Sequence, residues 1–203
     1  MQLHKRDVVA AATAILDNYG IADLTMRRLA RELAITPGAL YWHFVSKQEL
    51  LGAVADQLLR PVRTGPTADP GWRDRVTGVC TGMRNELLAH TDGAELVSAS
   101  FAVGQSRAMT EILGLLADAA HEAGLDAEHA GLAARTVAHY VLGFTADEQS
   151  RLQWSAMEPG ASGASAAPAL AGAGPAGNPD GRFAFGLRLL IDGLAVHGGV
   201  PVS

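Results

Sequence analysis

The chain has a single cysteine, Cys80, in 203 residues, which excludes an internal disulfide framework and any multi-cysteine zinc site and fits a reducing cytosol. Aromatic residues make up only 5% of it, against 48% hydrophobic residues in all. Ala, Leu and Val must therefore supply most of the buried area, and Ala with Leu favours helices. Long apolar runs are missing too: none approaches the ~18 residues of a membrane span. The run from Val8 to Leu16 follows His4, Lys5 and Arg6 like the start of a secretory leader, but Asp17 and Asn18 cut it off after nine residues. A cytoplasmic protein with no membrane partner is expected.

Catalytic signatures are absent as well. The histidines His4, His43, His90, His121, His129, His139 and His197 are scattered. No H-E-x-x-H or G-x-S-x-G occurs, and His121 and His129 are too far apart for a local ligand pair. No enzyme, metal site or cofactor is expected. Gly172 to Gly177 spells G-x-G-x-x-G, but a low-complexity tract surrounds it and Pro175 sits at its centre. It lacks the strand-to-helix setting of a dinucleotide site.

Basic residues are few: 16 Lys and Arg stand against 21 Asp and Glu, a net charge of −5. That balance suits nucleic acid poorly until the chain is divided at residue 60. Residues 1 to 60 hold 7 basic and 6 acidic groups, net +1, and residues 61 to 203 hold 9 and 15, net −6. The asymmetry marks two units. An acidic body confines DNA contact to the other end, where a few well-placed groups must stand in for a broad basic field.

From Lys5 to Asn18 the apolar residues Val8, Ala11, Ala12, Ile15 and Leu16 recur at the spacing of one helix face, and Gly20 ends that helix. Thr25 is placed to cap a second helix bearing Leu29 and Leu33. Thr36 is placed to cap a third of about two turns, with Pro37 at its first position. Ser46 to Glu49 has the form of a capping box, and Leu50, Leu51, Val54 and Leu58 follow as a stripe until Pro61. Residues 61 to 71 hold three Pro and two Gly and read as a connector. Helical patterns resume at 72 to 90, 94 to 101, 107 to 123 and 127 to 154. Residues 155 to 180 are Ala, Gly, Ser and Pro almost throughout, a composition that predicts a mobile loop. Beyond it Phe183, Leu187, Leu190 and Leu194 form a heptad-like seam for helix packing. The fold expected is all-α: a helix-turn-helix domain over 1–46, a connecting helix over 47–60, and a second helical domain over 61–203.

The segment TMRRLARELAITPGALYWHFVSK, Thr25 to Lys47, reads as an amphipathic helix, a tight turn at Ala34 and Ile35, and a second helix too short to be justified by core-building. It is better explained as a reader of double-stranded DNA. In a major groove its start would offer Thr36, Gly38 and Ala39 to base edges or methyl groups, and Tyr41 and His43 to phosphates. Leu40 and Phe44 share one face at i and i+4 and read as core. Trp42 is less determined and is grouped with the DNA-facing residues.

These residues, LTMRRLARELAITPGALYWHF followed by Lys47, resemble the TetR family of one-component transcriptional regulators. Further on, Asp92-Gly93-Ala94 and the stretch from Ala138 to Gly143 through Asp147-Glu148-Gln149 are similar to the ligand domain of the tetracycline repressors. The resemblance implies DNA contacts from Arg27, Thr36, Pro37, Gly38, Ala39, Tyr41, His43 and Lys47. It also implies a homodimer formed through the helices at 127–154 and 183–196, with two reading helices about one DNA turn apart, ~34 to 36 Å, on a palindromic operator. Pro37, Gly38 and Ala39 depart from the side chains that give tetracycline repressors their operator preference, so apolar contacts and DNA shape should weigh more here.

The resemblance further implies a small-molecule effector. Val97 stands where the tetracycline repressors have a magnesium-binding His and cannot coordinate a metal. Val79, Met83, Phe101 and Leu113 stand at pocket positions, with Ser100 and Asp147 among the few polar groups left. A mainly apolar ligand, bound without metal, is expected to release DNA by a population shift. Two other readings compete: plain core packing by these apolar residues, and a binder that has lost its DNA function, which Arg27, Tyr41, His43 and Lys47 argue against. Repression is the family's habit.

Overall fold

A computed structural model describes residues 3–63, 71–157 and 178–199. Among the described residues there are ten α-helices, one 3₁₀ turn and no strand, so the fold is all-α as expected. Packing divides the chain into two compact units, one of Met1–Ala68 with Thr81–Gly114 and one of Asp69–Cys80 with Leu115–Ser203.

The first unit opens with α1, Lys5–Tyr19. Gly20 ends it at a positive φ of 80°, with its N–H donating to the Leu16 carbonyl at 2.8 Å. A 3₁₀ turn, Ile21–Asp23, leads to α2, Met26–Glu32, and then to α3, Pro37–Tyr41. Next come α4, Lys47–Leu58, and the short α5, Arg60–Arg63. The caps expected from sequence are formed: Thr25 Oγ1 accepts the Arg28 amide at 3.1 Å, Thr36 Oγ1 the Ala39 amide at 3.2 Å, and Ser46 Oγ the Glu49 amide at 3.1 Å. The box at Ser46 closes one residue early, because Glu49 Oε2 accepts the amide of Val45, at 2.8 Å, rather than that of Ser46. Val8, Leu16, Leu24, Leu29, Leu40, Leu50 and Val54 are buried and form the core of this region.

Helix α6, Trp72–Leu88, and α8, Arg107–Glu122, each give a part to either unit, while α7, Gly93–Ala102, belongs to the first. The division expected at residue 60 follows charge, whereas the compact units follow packing and place α4 and α7 together in the first. Helix α4 packs against α7 and the turn after it. A β-carbon on Gly52 would fall 2.2 Å from the Gln105 carbonyl oxygen, and Asp56 Oδ1 accepts both the Ser106 hydroxyl at 2.9 Å and the Ala108 amide at 2.7 Å. Charge patterning reports the solvated faces. The buried stripe of α4 needs partners regardless of it.

The second unit is built on α9, Ala127–Met157, and α10, Pro179–His197. The mobile loop expected over 155–180 is therefore helical at both ends, and its remainder lies outside the described residues. Arg75 grips Glu122 through two hydrogen bonds of 2.7 and 2.8 Å. Tyr140 stacks on Phe183, centroids 5.6 Å apart, and donates its hydroxyl to the Phe183 carbonyl at 2.8 Å. The expected seam on the last helix is used inside the chain: Phe183, Leu187 and Leu194 are buried together with Ile191, while Leu190 is half-buried. The large apolar residues left exposed on α10 are Phe185, Leu189 and Val196. Among the described residues no helix is long and apolar enough to cross a membrane.

Candidate nucleic-acid interface

The turn between α2 and α3 sets the site. Ala34 takes a left-handed conformation, φ 53°, one of two non-glycine residues to do so among those described. With it, the Ala34 amide donates to the Arg31 carbonyl at 3.1 Å and the Ile35 amide to the Ala30 carbonyl at 2.9 Å. These two bonds satisfy the end of α2 and fix the direction in which α3 departs. Alanine in that region carries a steric cost, and nothing in its residue type announced it.

Helix α3 is five residues long, shorter than the two turns expected, because Trp42 already closes it. Its inner anchors are Leu40, 0% exposed, and Phe44, 1% exposed. Lys5 lies 5.0 Å from the centroid of the Phe44 ring and 3.1 Å from Glu49 Oε1. The Val45 amide first, and Lys5 second, hold the Glu49 carboxyl below its ordinary 4.5. Both anchors match the expected core face.

The outer face carries the rest. Thr36, Pro37 and Gly38 are exposed and Ala39 half-buried. Tyr41 is 49% exposed and Trp42 91% exposed, a large apolar area kept in water. His43 and Lys47 are half-buried and Arg27 is exposed. Trp42, the least determined from sequence, thus lies fully outward. Val45, 83% exposed, adds an apolar group that sequence reasoning missed. Gly38 is informative in another way: a β-carbon there would meet nothing nearer than Thr36 Oγ1 at 3.9 Å, and its φ is not positive. The fold does not require glycine at that place, whereas close approach of an external surface would.

The residues expected to hold an effector are set differently. Met83, Val97 and Ser100 are buried, and the Ser100 hydroxyl donates to the Val97 carbonyl at 3.0 Å. Phe101 and Leu113 are half-buried, as is Val79, which belongs to the other compact unit. Asp147, expected among the polar partners, is exposed on α9 and paired with Arg151. None of these residues lines either of two hollows seen among the described residues. One is an open groove of about 620 Å³ between α9 and α10, bordered by His129, Ala133, Val137, Leu189 and Leu194. The other, about 270 Å³, lies beside α2. Cys80 is buried and its thiol is pushed up to about 12 by desolvation, the behaviour of a core residue.

Known proteins are similar to this chain in sequence and in fold. Residues 8–54 match the family model of bacterial regulatory proteins of the tetR family, and residues 65–197 match that of the tetracyclin repressor-like C-terminal domain. The chain is 35% identical over 202 residues to the class A tetracycline repressor from transposon 1721 of Escherichia coli, covering 96% of this chain and 91% of that protein. It is 60% identical to Mycobacterium smegmatis BioQ, with a TM-score of 0.85 over 97% of this chain and all of that one. A structure of BioQ with its double-stranded DNA operator is 58% identical, with a TM-score of 0.81, and the match covers 97% of this chain and all of that one.

Proposed function

The chain belongs to the TetR family of DNA-binding transcriptional regulators, and from that premise we propose that it is a cytoplasmic homodimeric repressor. In this reading it binds a palindromic operator and lets go when a mainly apolar small molecule occupies its C-terminal region. The observation that carries it is the contrast between the faces of α3: Leu40 and Phe44 bury the helix against its own domain while Tyr41 and Trp42 stand in solvent. The solved BioQ–operator pair, at 58% identity, supports DNA as the partner. Arg27, Tyr41, His43 and Lys47 are assigned to phosphates, and Thr36, Pro37, Gly38 and Ala39 to the groove, with Trp42 at its edge.

Dimerisation through α9 and α10 is supported by apolar groups those helices leave in water, among them Leu132, Phe185, Leu189 and Val196, all more than half exposed. The effector reading rests on Met83, Val97 and Phe101, an apolar set with Ser100 as its polar member. The relatives are regulators and no catalytic step is assigned.

A gel shift and footprint on the DNA upstream of the protein's own coding sequence, at two salt concentrations and with Tyr41→Ala alongside, tests this. Protection of a palindrome with half-sites ~34 to 36 Å apart, abolished in the variant, is the expected result. No protected sequence there, and none recovered from a random pool, would defeat the proposal.

A further inference from the structure

We propose that Arg31 and Arg27 together form a clamp for neighbouring phosphates of one DNA strand. This rests on the DNA-binding reading above and adds to it a phosphate ligand, Arg31, that the family pattern did not supply.

Helix α2 carries three arginines, and the structure separates their roles. Arg28 is occupied: its guanidinium pairs with the Asp23 carboxylate and lies 3.7 Å from the centroid of the Tyr19 ring. Arg27 and Arg31 are exposed, four residues apart and so on one face of the helix. Both border the 270 Å³ hollow beside α2, with Ala22, Asp23, Thr25 and the Asp23-paired Arg28 completing its wall. Among the described residues neither of these two side chains has a hydrogen-bond or ion-pair partner. Asp23 is the single carboxylate of that wall, and it is committed to Arg28.

The hollow therefore presents two uncommitted guanidinium groups at helical-turn spacing. Like charges placed so repel each other when nothing lies between them. Neighbouring phosphates bound by the two offset that repulsion, and the planar fork of each guanidinium matches a phosphate better than a lysine ammonium would. The mounting is rigid. The Arg31 carbonyl accepts the Ala34 amide at 3.1 Å, so the residue sits at the joint that aims α3. In a helix-turn-helix the first helix crosses the sugar–phosphate backbone while the second enters the groove. A clamp on α2 fixes the register of the reading helix without reading sequence itself.

The test is a fluorescence anisotropy titration over a series of salt concentrations, on a duplex carrying the footprinted operator and on an unrelated duplex of equal length. Arg31→Gln is expected to weaken both duplexes by the same factor and to flatten the plot of log K against log salt by ~0.9 for each phosphate that is no longer neutralised. Arg31→Lys keeps the charge and should keep the slope. An unchanged slope in Arg31→Gln would overturn the clamp, as would a weakening confined to the operator duplex, which would make Arg31 a reader of bases. Wild-type protein that bound neither duplex would defeat the DNA-binding reading itself, an outcome distinct from a wild type that binds and a variant that matches it.

Discussion

Asp92 Oδ2 accepts the amide of Ile21 at 2.9 Å, across 71 residues of sequence. Two neighbours strengthen the link: the Thr91 hydroxyl donates to the Asp17 carbonyl at 2.9 Å, and His90 Nδ1 lies 2.9 Å from Asp17 Oδ1. The turn between α6 and α7 thus caps the end of α1, the point from which the chain departs toward α2. Asp92 reaches this position in a left-handed conformation, φ 54°. Gly20 makes room for it, since a β-carbon there would fall 2.6 Å from Asp92 Oδ2.

Replacing Asp92 by Ala removes the acceptor for a part-buried amide, a loss of about 1–3 kcal/mol, and removes the short polar side chain that eases the left-handed conformation. Asn tolerates that region and keeps an acceptor, so Asp92→Asn should cost less. Urea unfolding of the two variants checks the order, and equal losses would contradict it.

Leu187 and Leu189 lie two residues apart on α10 and should fail differently. Leu187 is 2% exposed, so Leu187→Ala should cost about 2–5 kcal/mol of stability. Leu189, 58% exposed, should tolerate Glu in the folded chain but not in a dimer that covers it. Sedimentation of Leu189→Glu is expected to show a folded monomer. A dimer of wild-type strength would move the interface elsewhere.

Glu49 gives a pH dependence with a definite sign. Its folded value lies below the ordinary 4.5 because the Val45 amide and Lys5 favour the carboxylate. The stabilisation is therefore present above 4.5 and lost as pH falls through the folded value. The melting temperature of wild type should exceed that of Glu49→Gln at neutral pH, and the gap should close on acidification. A gap that widened in acid would reverse the assignment.

Cys80, 1% exposed with its thiol raised to about 12, should resist a thiol-specific reagent at pH 8 in the folded protein and react fully in denaturant. Rapid labelling of the native state would mean that α6 opens.

Much of this was legible in the chain because caps and breakers act locally. Thr25, Thr36 and Ser46 cap the helices they precede, and Gly20 stops the one it follows. Leu40 and Phe44 were readable as core from their spacing alone. The seam on the last helix was read less well. Phe183, Leu187 and Leu194 are buried as a stripe should be, yet Ile191 rather than Leu190 completes it, because a period of 3.6 admits both choices and only the partner helix decides. The left-handed Ala34, the reach of Glu49 to Val45 and the fit of Gly52 against Gln105 depend on where the backbone goes next, which no residue type records. The effector set was the least accessible, since apolar side chains that line a cavity and those that fill a core have the same composition.

The brevity of α3 bears on any attempt to miniaturise the reader. Five residues closed by one capping threonine form too few internal bonds to offset helix nucleation in water. A synthetic peptide copying Thr25 to Lys47 would lack α1 and α4, which carry Val8, Leu16, Leu50 and Val54 of the domain core, and would present its tyrosine and tryptophan on a disordered chain. Recognition is then a property the domain acquires only when whole, and a useful mimic would have to carry a covalent staple in place of the missing helices.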